Sequence, residues 1–158
     1  MSIFRSLIFV VLAACVQYGA MISPTGAAPK KAPAAITIHK VIIQVDDNDP
    51  KLMNLALNNA ANVREYYSAK GAKVDIQIVT FGPGLHMLRS DTSPVKGRIA
   101  EMSLAMPELK FMACANTQSK MAQSEQKDIL LISEAVVVPS GVVTIIELQE
   151  QGYTYLRP

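Results

Sequence analysis

Two cysteines occur in the 158 residues, Cys15 and Cys114. Only Cys114 stands where a thiol could do chemistry. The strand-like run Leu109-Lys110-Phe111-Met112-Ala113-Cys114 leads into Asn116-Thr117, either of which can cap a helix. The thiol is therefore predicted where a strand hands over to a helix. Unpaired backbone N–H groups and the positive end of the helix dipole favour a thiolate there. A thiolate is the form that attacks sulfane sulfur or a disulfide. The competing reading is a buried, inert core cysteine, since free cysteine is among the most buried residue types.

Other residues could share that site. Asn116 and Thr117 could bind a substrate sulfur or simply cap the helix. Gly82-Pro83-Gly84 with His86 forms a second loop after a predicted strand. Its glycines permit close backbone approach to a ligand or to the Cys114 loop, and His86 is a candidate proton partner for the thiol. A tight turn with a solvent-facing histidine explains the same residues. The loop lacks the Lys-Ser/Thr of a phosphate-binding loop. Asp46 and Asp47 end the first strand, where they serve either as acid and base or as turn and helix-start charges. No His/Cys/Asp grouping has zinc-ligand spacing, so neither a metal nor a cofactor is expected. Met53, Met87, Met102, Met106, Met112 and Met121 would suit Cu(I) beside Cys114 and His86, but methionine is more often core filler.

The elements that position these residues can be read in order. Residues 39–45 form a β-branched run, a strand buried on both faces. Asp49 as N-cap with Pro50 at the first helical position starts a helix. Leu52, Leu55, Ala56, Val63 and Tyr66 recur along it at helical spacing, and Gly71 closes it. Asn54, Asn58 and Asn62 share one face of that helix, as a solvated surface or a contact between subunits. A second strand over 74–81 ends at the glycine loop. A helix follows over 95–106 and is stopped by Pro107. The third strand ends at Cys114, and the next helix runs to about residue 123. Residues 128–134 fit a helical turn or a strand, and 135–138 are strand-like. Residues 141–151 have strand propensity, but their apolar pairs fit a helix better, apolar around most of its circumference. Such a helix is buried or lies at an oligomer interface. A short strand over 153–156 ends the chain. Alternation of this kind builds a parallel sheet with helices on both faces, and ligands bind at the carboxyl edge of such sheets.

The remainder bounds the function. The composition is globular, half hydrophobic and sparse in charge. The net charge is +2, with no basic block or aromatic-basic interleaving, so nucleic acid is not an expected partner. Residues 1–28 read as a signal peptide: Arg5 precedes a short apolar run over 7–14, with small residues near Ala27 and Ala28. Leu12-Ala13-Ala14-Cys15 also reads as a lipobox, with Cys15 as a lipidated N-terminus and the only route to a membrane. Residues 29–37, rich in Pro and Ala and including Lys30-Lys31, form a flexible tether to a domain over 38–158. With Cys15 in the leader or in a lipid anchor, no disulfide can form within the domain.

Several blocks in order resemble the DsrE/DsrF-like sulfur-relay superfamily, which includes TusD-type proteins. They are the first strand with Asp46-Asp47, Asn59-x-x-Asn62, Val79-x-x-Gly82-Pro83-Gly84-Leu85 and Phe111-x-Ala113-Cys114-x-Asn116-Thr117. Val138-Pro139-Ser140-Gly141-Val142 and Gln149-x-x-Gly152-Tyr153-x-Tyr155-x-x-Pro158 complete the set. The likeness spans about residues 39–158. It implies a flavodoxin-like α/β fold, a three-layer sandwich with a mostly parallel five-stranded sheet, and assembly into homotrimers or hexamers. It also implies a sulfurtransferase-like role in which a cysteine holds sulfane sulfur as a persulfide and exchanges it with a donor or acceptor protein thiol. Cys114 is the matching position, with Asn116, Thr117, Gly82, Gly84, His86 and Asp46 around it. The export signal departs from the cytoplasmic setting of relay proteins and points to a bacterial periplasm. A non-catalytic oligomeric binding or scaffold module of the same fold is the alternative, with periplasmic copper binding a weaker one.

Overall fold

The computed structural model describes residues 37–158. The leader, Cys15, Lys30-Lys31 and nearly all of the tether lie outside the described residues.

Five strands form one sheet, β1 (Ile38–Val45), β2 (Lys73–Thr80), β3 (Leu109–Cys114), β4 (Ala135–Val138) and β5 (Thr154–Leu156), in the order β4-β3-β2-β1-β5. Every pairing is parallel. The helices are α1 (Pro50–Ser68), α2 (Lys96–Ala105), α3 (Ala115–Glu125) and α4 (Gly141–Glu150), with a 3-10 helix at Gly82–Leu88. Asp49 caps α1, its side chain accepting from the Lys51 backbone N–H at 2.8 Å, and Pro50 is the first helical residue.

The strand order dictates the layers. The chain steps β1, β2, β3, β4 in one direction, and right-handed crossovers place α1, α2 and α3 on one face. It then reverses from β4 to β5, beyond β1, so α4 must cross the opposite face. The two hydrophobic clusters follow this division. Ile43, Ile78 and Phe111 pack with Met53, Leu57 and Ile99 on the first face. Ile42 and Val79 pack with Ile145, Leu148 and Tyr153 on the second. One helix covers the second face where three cover the first. Val142, Val143 and Ile146 of α4 are consequently about half exposed, at 51%, 48% and 51%.

Several expectations are revised. The buried stripe of α1 is Met53, Ala56, Leu57 and Ala60, while Leu55 and Tyr66 are exposed. Small alanines let the helix approach the sheet closely; of the expected apolar residues, Ala56 is buried and Leu52 and Val63 pack against the core, so only Leu55 and Tyr66 lie off that face. In its first two turns the asparagine face takes hydrogen bonds from α2. Arg98 of α2 donates to Asn54 Oδ1 at 2.8 Å, to the Asn54 carbonyl at 3.2 Å and to Asn58 Oδ1 at 2.5 Å. Residues 128–134 are neither helix nor sheet strand; a single antiparallel bridge, Arg89 to Leu131, ties them down. All six methionines of the domain belong to the two cores or pack against them. Among the described residues, no group of three or more His, Cys, Asp or Glu could hold a metal ion.

Candidate functional site

Cys114 ends β3, and its register partner on β4 is Val138. The connection from β3 turns to the first face as α3. The connection from β4 turns to the second face as α4. The thiol therefore lies at the topological switch point, where loops diverge and open sheets form their crevice. Gly141, the first residue of α4, comes so close that a Cβ there would lie 3.4 Å from the Cys114 Cβ and 3.0 Å from the Phe81 ring.

The helix cap differs from the sequence expectation. Neither Asn116 nor Thr117 caps α3. Cys114 occupies the N-cap position, with extended backbone, and Asn116 and Thr117 lie in the first turn. An N-cap side chain faces the N–H groups of the second and third helical residues. Here those are Asn116 and Thr117, and a sulfur stands at the position of a Ser or Asp oxygen, without a side-chain cap hydrogen bond. Burial pushes the thiol up, but it is outweighed. The Thr117 hydroxyl and the backbone N–H groups of Gly141, Thr117 and Asn116 together hold the thiol below its ordinary value. Two helix N-termini thus favour one thiolate. Gly141 was not singled out from sequence as a site residue, because its proximity follows from strand order.

The sulfur is not open to bulk solvent: Cys114 is 4% exposed. A cleft of about 460 Å³ begins at the next side chain, Thr117. Its floor is one stripe of α3, Thr117, Lys120, Met121 and Ser124, and its other wall is Asn48, Gly82, Pro83 and His86. Thr117 joins cleft and thiol, because its Oγ1 also accepts the Gly82 N–H at 3.0 Å. Gly82 has φ +51°, the left-handed region that favours glycine. The His86 ring borders the cleft with Nδ1 2.8 Å from Thr92 Oγ1.

The other expected site residues face elsewhere. Gly84 is buried against β1, not the cleft: a Cβ there would fall 2.1 Å from the Val45 carbonyl oxygen. Asp46 pairs with Arg157 at 3.2 Å and does not line the cleft. Asp47 is exposed.

The cleft walls are braced from behind by Arg89, which is 1% exposed. Its guanidinium donates to Asp91 at 2.8 and 2.9 Å and to Glu125 at 2.9 Å, with a second bond to Glu125. Lys127 adds contacts to both carboxylates at 3.0 and 3.3 Å. This cluster locks the loop after the 3-10 helix onto the end of α3. The Arg89 hydrogen bonds hold Glu125 down to about 2, from an ordinary 4.5, and Asp91 well below the usual carboxylate range. Depressed carboxylate pKa values stabilise the fold above the unfolded values, and that stability is lost as pH falls through the folded ones. The melting-temperature gap between the wild-type protein and Glu125→Gln is therefore expected to close between pH 4.5 and about 2. Melts across that window that keep a constant gap would exclude the brace.

Gly141→Ala tests the thiolate pocket. The new methyl group meets the Phe81 side chain at 3.0 and 3.1 Å, tighter than ordinary contact, so Phe81 or the start of α4 must give by a few tenths of an ångström, and movement of α4 draws its N–H from the sulfur. Slower alkylation of the native thiol at neutral pH is the expected result, and an unaltered rate would remove Gly141 from the pocket.

Comparison with known proteins fits this geometry. A model of the DsrE/DsrF-like family matches residues 39–158, nearly the whole described domain. The chain belongs to the DsrE/DsrF-like family. Among solved structures it is similar to MTH1491, a protein of unknown function from Methanobacterium thermoautotrophicum. Identity is 29% over 76% of this chain and 99% of that one, with a TM-score of 0.64. No curated protein matches. Membership of the DsrE/DsrF-like family supports a sulfur-relay type of role at family level, and the all-parallel α/β sheet agrees with the DsrE fold.

Proposed function

We propose that this DsrE/DsrF-like protein is an exported sulfur carrier that holds sulfane sulfur as a persulfide on Cys114 and passes it to a partner thiol. The observation that carries the reading is the convergence of the α3 and α4 N-termini on a single cysteine whose thiol is held below its ordinary pKa. Such a pocket favours an anion on sulfur, whether thiolate or perthiolate. Family membership supports the same chemistry. The leader pattern of residues 1–28 supports export to a periplasm. Incubation of the protein with a sulfane-sulfur donor, followed by mass spectrometry of the Cys114 peptide, is expected to show the gain of one sulfur atom. A thiol that stays free under several donors would defeat the proposal.

A second reading rests on a different observation. Val142, Val143 and Ile146 of α4 are about half exposed, and so is Val136, which faces the same side of the sheet on the edge strand β4. Exposed apolar side chains on one face of this kind mark interfaces, and they support a homo-oligomeric binding or scaffold module. Ile146→Lys is expected to lower the sedimenting mass to that of a monomer. A wild-type protein that is already monomeric would end this reading. The two readings part at Cys114→Ser, which abolishes a carrier and leaves a scaffold intact in its host.

A further inference from the structure

The cleft beside Thr117 carries a feature that the carrier role does not use. Lys120 is exposed on the cleft floor, and among the described residues it makes no ion pair or hydrogen bond. No carboxylate lines the cleft. The nearby acidic loop is largely occupied: Asp46 is held by Arg157 and Asp49 by the first turn of α1, leaving Asp47 exposed. Thr117, Lys120, Met121 and Ser124 form one stripe of α3, so Lys120 stands one turn from Thr117, about 4.5 Å further along the axis. Met121 supplies an apolar surface between the ends of that stripe. The cleft therefore has a cationic station one helical turn from Thr117, the cleft residue nearest to Cys114 in the chain. The thiol itself is 4% exposed and does not line the cleft, whereas Thr117 does, so a donor in the cleft must enter past Thr117 and a small molecule suits that approach.

We propose that Cys114 is loaded by a small organic persulfide bearing a carboxylate a few bonds from its sulfane sulfur, with the carboxylate held by Lys120. The inference rests on the persulfide reading of the site. In the step, the Cys114 thiolate attacks the outer sulfur of R–S–SH. A new S–S bond forms to Cys114 and the donor S–S bond breaks. The electron pair leaves on R–S⁻, and the proton stays on the transferred sulfur. Charge and atoms balance, and no external oxidant or reductant is needed.

The test pairs reagents that differ in the anionic group. Iodoacetate and iodoacetamide alkylate the same sulfur and differ by carboxylate against amide. The full chain is expected to show an iodoacetate-to-iodoacetamide rate ratio about fivefold higher than Lys120→Gln, the size of an exposed charge pair, with Lys120→Arg keeping the wild-type ratio. Cysteine persulfide should likewise load Cys114 with a lower KM than neutral hydroxyethyl persulfide, and Lys120→Gln should remove that preference through KM rather than kcat. Equal ratios in wild type and Lys120→Gln would overturn the carboxylate station while leaving the persulfide reading in place. A changed alkylation ratio with no loading from either persulfide would overturn the donor assignment together with the persulfide reading.

Discussion

Alkylation of native Cys114 is expected to rise with a midpoint below the ordinary thiol value of 9.0, and Thr117→Val to move that midpoint back toward it. The sign follows from the charges. The Thr117 hydroxyl and three backbone N–H groups interact more favourably with the thiolate than with the thiol, so the proton leaves at lower pH. Valine keeps the shape of threonine and removes the hydroxyl, which frees the Gly82 N–H at the same time. Each pKa unit corresponds to about 1.4 kcal/mol, and one hydrogen bond to a charged group is worth about 1.5–3 kcal/mol. A measurable displacement toward higher pH is therefore expected. Cys114→Ser is the limiting case. A serine hydroxyl at neutral pH is not the nucleophile that a thiolate is, so sulfur loading should be lost entirely. Rate-against-pH curves for a small alkylating agent decide the matter. A thiol that reacts only after unfolding would mean that its 4% exposure is a seal rather than a gate.

The second large effect is on folding. Gly84→Ala is expected to destabilise the domain by at least about 3 kcal/mol, the upper end of ordinary overpacking. The added Cβ would fall 2.1 Å from the Val45 carbonyl oxygen, 2.5 Å from its carbon and 2.8 Å from the Asp46 Cα. These are backbone atoms at the end of β1, a strand paired on both sides, so no side chain can swing away to make room. The 3-10 helix must lift from the sheet edge, and with it the Gly82 N–H bonded to Thr117. Loss of stability in denaturant titrations should be accompanied by a raised thiol pKa in whatever fraction stays folded. Gly71→Ala makes a useful contrast: φ is +70° there, but no atom lies within 4 Å of a Cβ. The strain at Gly71 is conformational only, about 1 kcal/mol. Equal stability of Gly84→Ala and the wild-type protein in the same titration would show that the sheet edge can yield.

Much of this was legible in the residues because its physical causes are local. The Asp49-Pro50 helix start, the β-branched strand before it and the strand ending at Cys114 all depend on neighbours in sequence. So does the choice of helix over strand for 141–150, where the spacing of apolar pairs outweighs β propensity. Errors arose where distant packing decides. The α1 stripe runs through Met53 and Ala60 because the helix nests against a sheet that admits small residues. Asn54 and Asn58 of α1 bind Arg98, which lies some forty positions away. Arg89 can be buried because two carboxylates converge on it, Asp91 from a loop and Glu125 from the end of α3.

The same boundary runs through the functional site. By itself the sequence determined that one thiol of the domain would stand at a strand-to-helix junction, since strand, cap and helix are written within about ten residues of it. Thr117 and Lys120 share a face of α3 for the same reason: helical spacing is a local property. Only the tertiary structure decided that a second helix would point its N-terminus at that sulfur. The reversal of strand order after β4 sends α4 across the opposite face and brings Gly141 to Cys114. Strand order is a property of the whole sheet, settled by which faces can be buried together, and no short stretch of residues contains it.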